Sequence, residues 1–518
     1  MSNPLKIISI SSEVAPYSKS GGLADVSRSL PKAIKRLGHD VTIITPLYGG
    51  IFSDKKYDLK IFKENVSVDV DKENKIIVNF WVSYLMEGLP IYFIENNKYF
   101  SKKKELYGSK HDNVRFLIFD LACLELIDQL DCQPDIIHCH DWQTGLIPYY
   151  LRKEKRYKKL EAVKIVYTIH NLIFQLGHNW WEIAPENKDF GKKAIPLITD
   201  PAIENINFAK RAILSADIIN TVSEKYREEI MTKNFGQDLQ TILRNRSDRL
   251  LGIINGIDYN AYSPTRDNNL FKKYNYKNIY YKKINKEELQ KKFSLPINTN
   301  VPLLCTTSRV TFQKGFELIL NIANNLMQLD IQLIVLGSGS KDYIKKLKKI
   351  AKKYPKKLVV IPFHKETQKY ETFIYSGSDF FLLPSHHEPC GINQLIAMRY
   401  GCIPIVRKVG GLHDTVENYD PSKDTGTGFV FDGFNEFSLY GAIVRAIEIY
   451  KHKYIWKNII TRAMKQSSSW TIPAKKYITL YKKIIQSKND NKPIFEEPGL
   501  EKKLNEESVL AEDLIIEK

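Results

Sequence analysis

A lysine and two glycines stand near the start of the chain, where a strand pattern gives way to a helix pattern. The β-branched and apolar residues 6–13 precede Lys19-Ser20-Gly21-Gly22, and apolar residues then recur at helical spacing from Leu23 to Leu37. Glycines at a helix start let the backbone approach a ligand closely, and the amide groups there attract anions. With the charge of Lys19, this pattern predicts a phosphate site. The competing interpretation is a glycine turn beside a solvated lysine.

Two cations follow an apolar strand pattern in the second half of the chain. Arg309 and Lys314 come directly after the run 303–307, and a helix pattern begins near Phe316. Arginine offers a bidentate fork and lysine a point charge, so the pair can hold a diphosphate from two sides. The alternative is a pair of surface cations in a loop.

A single carboxylate stands in another strand-to-helix connection. Glu388 lies in the segment 384–394, just before a helix pattern, where it can accept hydrogen bonds from sugar hydroxyls. The alternative is a carboxylate that is favoured only by the helix dipole. His386 and His387 are interpreted as ordinary loop residues.

The elements that must position these residues have the pattern of a parallel α/β protein. Short apolar strands alternate with helix patterns in two halves, which are separated by a polar stretch near residues 266–300 with a surface helix expected at Lys286–Phe293. Two open parallel sheets would place their ligands at the carboxyl ends of their strands, in a shared cleft. The predicted strands are residues 6–13, 41–44, 135–138, 164–167, 218–221, 303–306, 332–336, 358–361, 380–383 and 403–406.

Composition excludes several classes of protein. The formal net charge is +18, but the lysines are spread along all 518 residues without a nucleic-acid motif, so no nucleic-acid partner is expected. No apolar run is long enough to cross a membrane, and the first strand begins almost at Met1, which predicts a cytoplasmic protein. The six cysteines form no Cys-x-x-Cys pair and are expected to be reduced. His138-Cys139-His140 has no matching ligand group elsewhere, so no metal site is predicted.

Together the motifs resemble those of the ADP-glucose-using bacterial glycogen synthases and plant-type starch synthases, over nine-tenths of the chain. The resemblance implies the GT-B glycosyltransferase fold, in which two α/β, Rossmann-like domains face each other across a cleft. It divides the chain into residues 1–258, completed by a returning helix at 470–487, residues 259–469, and a polar, mobile tail at 488–518. The motifs that carry it are Lys19-Ser20-Gly21-Gly22-Leu23, His140-Asp141-Trp142, Thr168-Ile169-His170-Asn171-Leu172, Asn255-Gly256-Ile257-Asp258, Arg309 with Gln313-Lys314-Gly315, Glu388-Pro389-Cys390-Gly391 and Gly410-Gly411-Leu412.

The resemblance also implies a reaction. Glucose passes from ADP-glucose to the non-reducing 4-hydroxyl of an α-1,4-glucan such as glycogen, with retention at the anomeric carbon and without a cofactor or metal. The catalytic residues it implies are His170 at the reacting carbon, Arg309 and Lys314 on the diphosphate, and Glu388 on the donor sugar. The substrate-binding residues it implies are Lys19, Gly21, Gly22, Asp25, Asp141, Asn255, Gly391, Gly410 and Gly411.

Three alternatives remain open at this stage. A related retaining glycosyltransferase could use UDP-glucose, because no residue in the sequence identifies the base. An inactive glucan-binding protein would be expected only if Arg309, Lys314 or Glu388 were replaced. A dinucleotide oxidoreductase is disfavoured, because the run 337–342 lacks the third glycine of its fingerprint. The sequence departs from the family pattern at Phe174-Gln175-Leu176-Gly177, where the family tends to have Tyr-Gln-Gly. At Ile396 many related glycosyltransferases carry a second glutamate.

Overall fold

The computed structural model describes residues 3–52, 55–103, 105–130 and 132–487, so the tail expected at 488–518 lies outside the described residues. The strands are β1 (Lys6–Ile10), β2 (Asp40–Pro46), β3 (Lys60–Asp69), β4 (Lys75–Met86), β5 (Leu89–Glu95), β6 (Ile136–His140), β7 (Lys164–Ile169), β8 (Ile218–Thr221), β9 (Leu250–Gly252), β10 (Leu303–Thr307), β11 (Gln332–Gly337), β12 (Leu358–Pro362), β13 (Phe380–Leu383), β14 (Ile403–Arg407) and β15 (Phe429–Phe431).

The α-helices lie mainly between the parallel strands, as the alternating pattern predicted. They are α1 (Gly22–Arg36), α2 (Gly49–Phe52), α3 (Asp112–Gln129), α4 (Leu146–Lys153), α5 (Phe208–Ser215), α6 (Glu224–Ile230), α7 (Gln240–Asn245), α8 (Lys282–Lys292), α9 (Phe316–Leu326), α10 (Lys341–Lys353), α11 (Tyr370–Gly377), α12 (Asn393–Arg399), α13 (Gly410–Thr415), α14 (Glu436–Lys451), α15 (Lys453–Lys465) and α16 (Thr471–Gln486).

The first of two compact units contains the chain up to Ile253 and again from Trp470. Its sheet has the order β3-β4-β5-β2-β1-β6-β7-β8-β9, and the strands from β5 to β9 in that order are parallel. β1 lies between β2 and β6, so the strand order reverses there. Ligands of open parallel sheets bind at the carboxyl ends of the strands beside such a reversal. The loops after β1, β6 and β7 therefore form the expected ligand edge.

An antiparallel extension of this sheet was not predicted. β3 pairs with β4, and β4 with β5, in antiparallel register. The first six residues of β3 are exposed, so its sequence lacks the alternation of a strand with one buried face. None of the candidate site residues lies on β3, β4 or β5.

The second unit, Ile254–Ser469, contains a six-stranded parallel sheet. Its order is β12-β11-β10-β13-β14-β15, so the reversal falls at β10, with β13 beside it. The loops after these two strands carry the predicted cations and the predicted carboxylate. Buried strands bounded by glycine and proline thus position the same segments that the motifs had indicated.

The helix predicted at Lys286–Phe293 is present as α8, but it starts earlier than predicted and buries one of its faces. α8 begins at Lys282, whose ammonium group is buried and donates to three backbone carbonyl oxygens at 2.7–3.1 Å. Lys286 is also buried and forms an ion pair with Asp379 at 2.5 Å. A helix with this many lysines is usually exposed, but here the carbonyl groups and one carboxylate compensate the buried charges.

The returning helix expected at residues 470–487 is α16. It packs against α1 of the first unit and buries the side chains of Tyr477 and Tyr481. The described part of the chain therefore begins and ends in the first unit.

Candidate active site

The loop between β1 and α1 holds the lysine and the two glycines, and an internal carboxylate already binds it. Glu13, which is 3% exposed, accepts hydrogen bonds from the backbone amide and the hydroxyl of Ser20, and from the amide of Gly21. Two of the amides expected to attract an anion, those of Ser20 and Gly21, are therefore bound to Glu13. The ammonium group of Lys19 forms an ion pair at 2.8 Å with Asp25, in the first turn of α1.

Asp141 and His170 meet at the carboxyl ends of β6 and β7. A carboxylate oxygen of Asp141 accepts hydrogen bonds from the backbone amides of His170 at 2.7 Å and Asn171 at 3.4 Å. Asp141 itself has a φ of 60°, an unusual conformation for a residue other than glycine. Asp141 therefore fixes the backbone at His170, the residue that the resemblance places at the reacting carbon.

Glu13 and Asp141 belong to one cluster of carboxyl groups. Burial raises the pKa of Asp141, the amide hydrogen bonds oppose the shift and the charge of Glu13 adds to it, so that the pKa is about 7. Burial also raises the pKa of Glu13, with a smaller contribution from Asp25. The structure thus brings the Lys19 loop and the Asp141–His170 pair to one edge of the first sheet. Sequence reasoning missed Glu13, whose only signal was a lone acidic residue directly after a buried strand.

In the second unit, the two predicted cations have different surroundings. Arg309 is exposed, and its guanidinium group donates to the Gln313 side chain at 3.2 Å. Lys314 is largely buried, and its ammonium group lies 2.5 Å from a carboxylate oxygen of Glu388. The hydroxyl of Ser385 donates to the same oxygen at 3.0 Å. One cation is thus open to a ligand, whereas the other is held by the predicted sugar-binding carboxylate.

A close backbone approach brings Lys314 to Glu388. Gly315 has a φ of 74°, and a Cβ atom there would lie 2.0 Å from the carbonyl oxygen of Pro384. The amide of His386 donates to the carbonyl of Gln313 at 2.8 Å, so the loops after β10 and β13 are joined directly. Only glycine permits this close contact, so the position after Lys314 requires a glycine.

The predicted glycines that follow in the second unit also serve close packing. A Cβ atom on Gly410 would lie 2.0 Å from the carbonyl oxygen of Glu388, and one on Gly411 would lie 2.1 Å from that of Cys390. The amide of Gly411 donates to the Glu388 carbonyl at 3.0 Å, so this amide supports the Glu388 loop. Gly391 has a φ of 69°, and its carbonyl accepts from Gln394 at 2.9 Å.

Asn255 lies beneath the same loop. It is 5% exposed and hydrogen-bonds to Cys390 through both its backbone and its side chain. These bonds only partly oppose the effect of burial, which raises the pKa of the Cys390 thiol to about 12. The structure thus assembles Arg309, Lys314, Glu388, Gly391, Gly410, Gly411 and Asn255 around two adjoining loops of the second unit.

The described residues contain no group of three or more histidine, cysteine, aspartate or glutamate side chains that could hold a metal ion. Within the same ranges, every helix is too short or too polar to cross a membrane.

Known proteins match this chain along almost its whole length. A family model described as "Starch synthase catalytic domain" matches residues 6–245, and one described as "Glycosyl transferases group 1" matches residues 287–462. Glycogen synthases of Clostridium botulinum and Clostridium perfringens are 39% and 40% identical over 93% of this chain and 99% of their own length.

The solved structures agree with these matches. The catalytic domain of starch synthase IV from Arabidopsis thaliana, bound to ADP and acarbose, matches with a TM-score of 0.83 and 32% identity over 94% of this chain and all of that chain. A glycosyltransferase from Rickettsia africae matches with a TM-score of 0.56 at 16% identity, which supports the fold alone. The predicted GT-B glycosyltransferase fold is thereby confirmed. Within that class, the chain belongs to the glycogen synthase and starch synthase family of glucosyltransferases.

Proposed function

We propose that this enzyme transfers glucose from ADP-glucose to the non-reducing end of an α-1,4-glucan, with retention of configuration. The observation that carries the proposal is the joined pair of loops in the second unit, which presents Arg309 beside the Lys314–Glu388 ion pair. Support for the nucleotide comes from the related starch synthase IV, which was solved with ADP. Support for the acceptor comes from the glycogen synthases that match the chain.

The cations act on the leaving group. As the bond from the anomeric carbon to the diphosphate breaks, negative charge develops on the phosphate oxygens. Arg309 and Lys314 stabilise this charge, which is the largest contribution that a preorganised site makes to such a reaction. The acceptor 4-hydroxyl forms the new bond on the same face of the sugar, and its proton passes to the departing phosphate.

Glu388 has two tasks in this proposal. It orients Lys314 through the 2.5 Å ion pair, and it accepts a hydrogen bond from a hydroxyl of the donor glucose. The loop that carries it is supported by Gly410 and Gly411, so its position is set before the donor binds. Such preorganisation lowers the entropic cost of bringing the reacting atoms together.

The first unit contributes the residues around Asp141. We assign the backbone carbonyl of His170 to stabilisation of the glucosyl cation, and the carboxylate of Asp141 to fixing that backbone through its two amide hydrogen bonds. When the donor binds, Lys19 leaves its ion pair with Asp25 and pairs with a phosphate group of the donor. Asp25 thus keeps the lysine charge compensated while no donor is bound.

A donor comparison tests the proposal. The purified enzyme is supplied with ADP-glucose or UDP-glucose and a glycogen primer, and incorporated glucose is then released with an α-1,4-specific exo-hydrolase. We expect incorporation from ADP-glucose and release of all new glucose. Arg309→Ala should abolish most of the incorporation, whereas Arg266→Ala, which alters another exposed arginine of the same unit, should leave it intact.

Three possible outcomes of this comparison would contradict different parts of the proposal. A preference for UDP-glucose would overturn the assigned nucleotide while leaving the transfer reaction standing. Resistance of the product to the exo-hydrolase would overturn the α-1,4 linkage, and transfer from neither donor would overturn the proposed function as a whole.

A further inference from the structure

Three histidines of the first unit, His138, His140 and His170, form a column of tilted rings in contact. His138 and His140 lie on one face of β6, because side chains alternate along a strand, and their ring centroids are 4.1 Å apart. The ring of His140 lies 5.2 Å from that of His170. The side chains of His138 and His140 are almost completely buried. The roles proposed above involve His170 but neither His138 nor His140, which form the lower end of this histidine column.

The lower end of the histidine column is hydrogen-bonded to the returning helix α16. His138 Nδ1 lies 2.8 Å from the hydroxyl of Tyr481, and His138 Nε2 lies 2.7 Å from Oγ1 of Thr168. The side-chain amide of Asn220 donates to the same Thr168 oxygen at 3.2 Å and to the hydroxyl of Tyr477 at 2.7 Å. A helix more than three hundred residues away in sequence thus supplies two hydroxyl groups to this network.

These partners restrict the orientation of the His138 ring. Each of its two nitrogens lies within hydrogen-bond distance of a hydroxyl group, Nδ1 of Tyr481 and Nε2 of Thr168, and each hydroxyl can either donate or accept. The hydroxyl of Thr168 is itself held by the side-chain amide of Asn220. Burial, together with the neighbouring rings, lowers the pKa of His138 well below its usual value, so the ring is neutral at pH 7.

The upper end of the histidine column constrains His170 in the same way. His140 Nδ1 lies 3.0 Å from His170 Nε2, and His140 Nε2 lies 3.3 Å from the hydroxyl of Ser9. Burial lowers the pKa of His140 to about 3 and also lowers that of His170, so one neutral ring donates to the other. Nε2 of His170 is thereby engaged, and Nδ1 is the ring nitrogen that remains for a substrate.

We infer that Tyr481 and Thr168 are positioning residues, which hold the histidine column in one arrangement and thereby fix the orientation and tautomer of His170. The inference rests on the proposed role of His170 at the reacting carbon. The column acts through packing: His140 is held between His138 and His170, so a shift of His138 displaces both rings. Interiors transmit such shifts because they are closely packed. Thr168 also lies on β7, two residues before His170, which directly follows the strand.

Removal of single hydroxyl groups tests this inference. Tyr481→Phe and Thr168→Val each remove one partner of His138 and should lower kcat about tenfold while KM for the donor stays within about twofold. Thr168→Ser keeps the hydroxyl and should restore kcat to within about twofold of the wild type. A fall in kcat without a change in KM marks a loss that is felt only in the transition state.

Tyr274→Phe is the matched control. It removes an equally buried tyrosine hydroxyl, which donates to the carbonyl of Tyr400 at 2.7 Å in the second unit. It should lower the melting temperature about as much as Tyr481→Phe does, with kcat unchanged. If Tyr481→Phe and Thr168→Val also leave kcat unchanged, the histidine column is only structural and the inference is overturned.

A spectroscopic measurement separates this inference from the proposed function. With ¹⁵N-labelled histidine, the ring nitrogen shifts of His170 report its tautomer without any substrate. We expect a single tautomer in the wild type and a mixture or the opposite tautomer in Tyr481→Phe. Unchanged shifts in that variant would overturn the inference even if the enzyme transfers glucose. Changed shifts would support it even if the donor assignment fails.

Discussion

The Lys314–Glu388 ion pair allows stability and activity to be separated by mutation. Lys314→Met removes the cation and leaves Glu388, whose side chain is 6% exposed, with the Ser385 hydroxyl at the same oxygen. Breaking a buried pair by removing one partner costs roughly 3–5 kcal/mol, and the 15% exposure of Lys314 favours the lower figure. For a unit of this size, about 3 kcal/mol corresponds to a melting temperature lower by roughly 6–12 °C.

The double variant Lys314→Met/Glu388→Gln distinguishes the two effects. It leaves no unpaired charge, so the melting temperature should recover to within a few degrees of the wild type, because a neutral pair avoids the desolvation cost. Activity should not recover, since the charge on the leaving group is still missing, and both variants should lose about 10²–10³-fold in turnover.

Differential scanning calorimetry and incorporation of labelled glucose into glycogen measure these two quantities on the same samples. Lys408→Met serves as the control, because Lys408 forms an exposed pair with Asp432 at 3.7 Å and should contribute less than about 1 kcal/mol. The reasoning is refuted if the double variant is as unstable as the single one, or if Lys314→Met retains wild-type turnover.

Three further predictions follow from the same geometry. Arg309→Ala should lower turnover by about 10²–10³-fold with an unchanged melting temperature, because the side chain is exposed; a large loss of stability in calorimetry would contradict this. The native pKa of Asp141 is about 7, against a usual value of 3.8, so the native state binds a proton that the unfolded state has lost. The free energy of unfolding should therefore fall as the pH rises from about 4 to about 7. It should fall less steeply in Asp141→Asn, which lacks this titrating group. Urea unfolding across that pH range measures the slope for each protein, and equal slopes would exclude the effect. Incorporation of glucose should survive exhaustive EDTA treatment, because Arg309 and Lys314 supply the positive charge; loss of activity that Mg²⁺ restores would show otherwise.

Local patterns were sufficient to predict the parallel strands and the loops that follow them. β10 begins with three apolar residues and ends with two threonines, all of them buried, and the two cations that follow could be assigned to a strand end without knowledge of its neighbours. The same holds for β13 and Glu388. In both cases the residues that define the element and the residues that do the chemistry lie within about ten positions of each other.

Contacts between distant segments could not be predicted. The amide of Gly411 donates to the carbonyl of Glu388, which lies 23 positions earlier in the chain, and no local pattern indicated this bond. Lys282 was not expected to be buried, because the three carbonyl groups that bind it come from two other segments. Hydrogen bonds of this kind depend on the assembled sheet, and no local pattern encodes them.

The membership of α16 in the first unit has a consequence for synthesis. More than two hundred residues of the second unit are translated between β9 and α16, which takes roughly 10–40 s at ordinary elongation rates. During that interval the emerging first unit lacks the helix that supplies Tyr477 and Tyr481, so the polar side chains at the base of its sheet have no partner from α16. The second unit, by contrast, is continuous and can fold as soon as it leaves the ribosome. The part of the enzyme that is made first is therefore the part that is completed last.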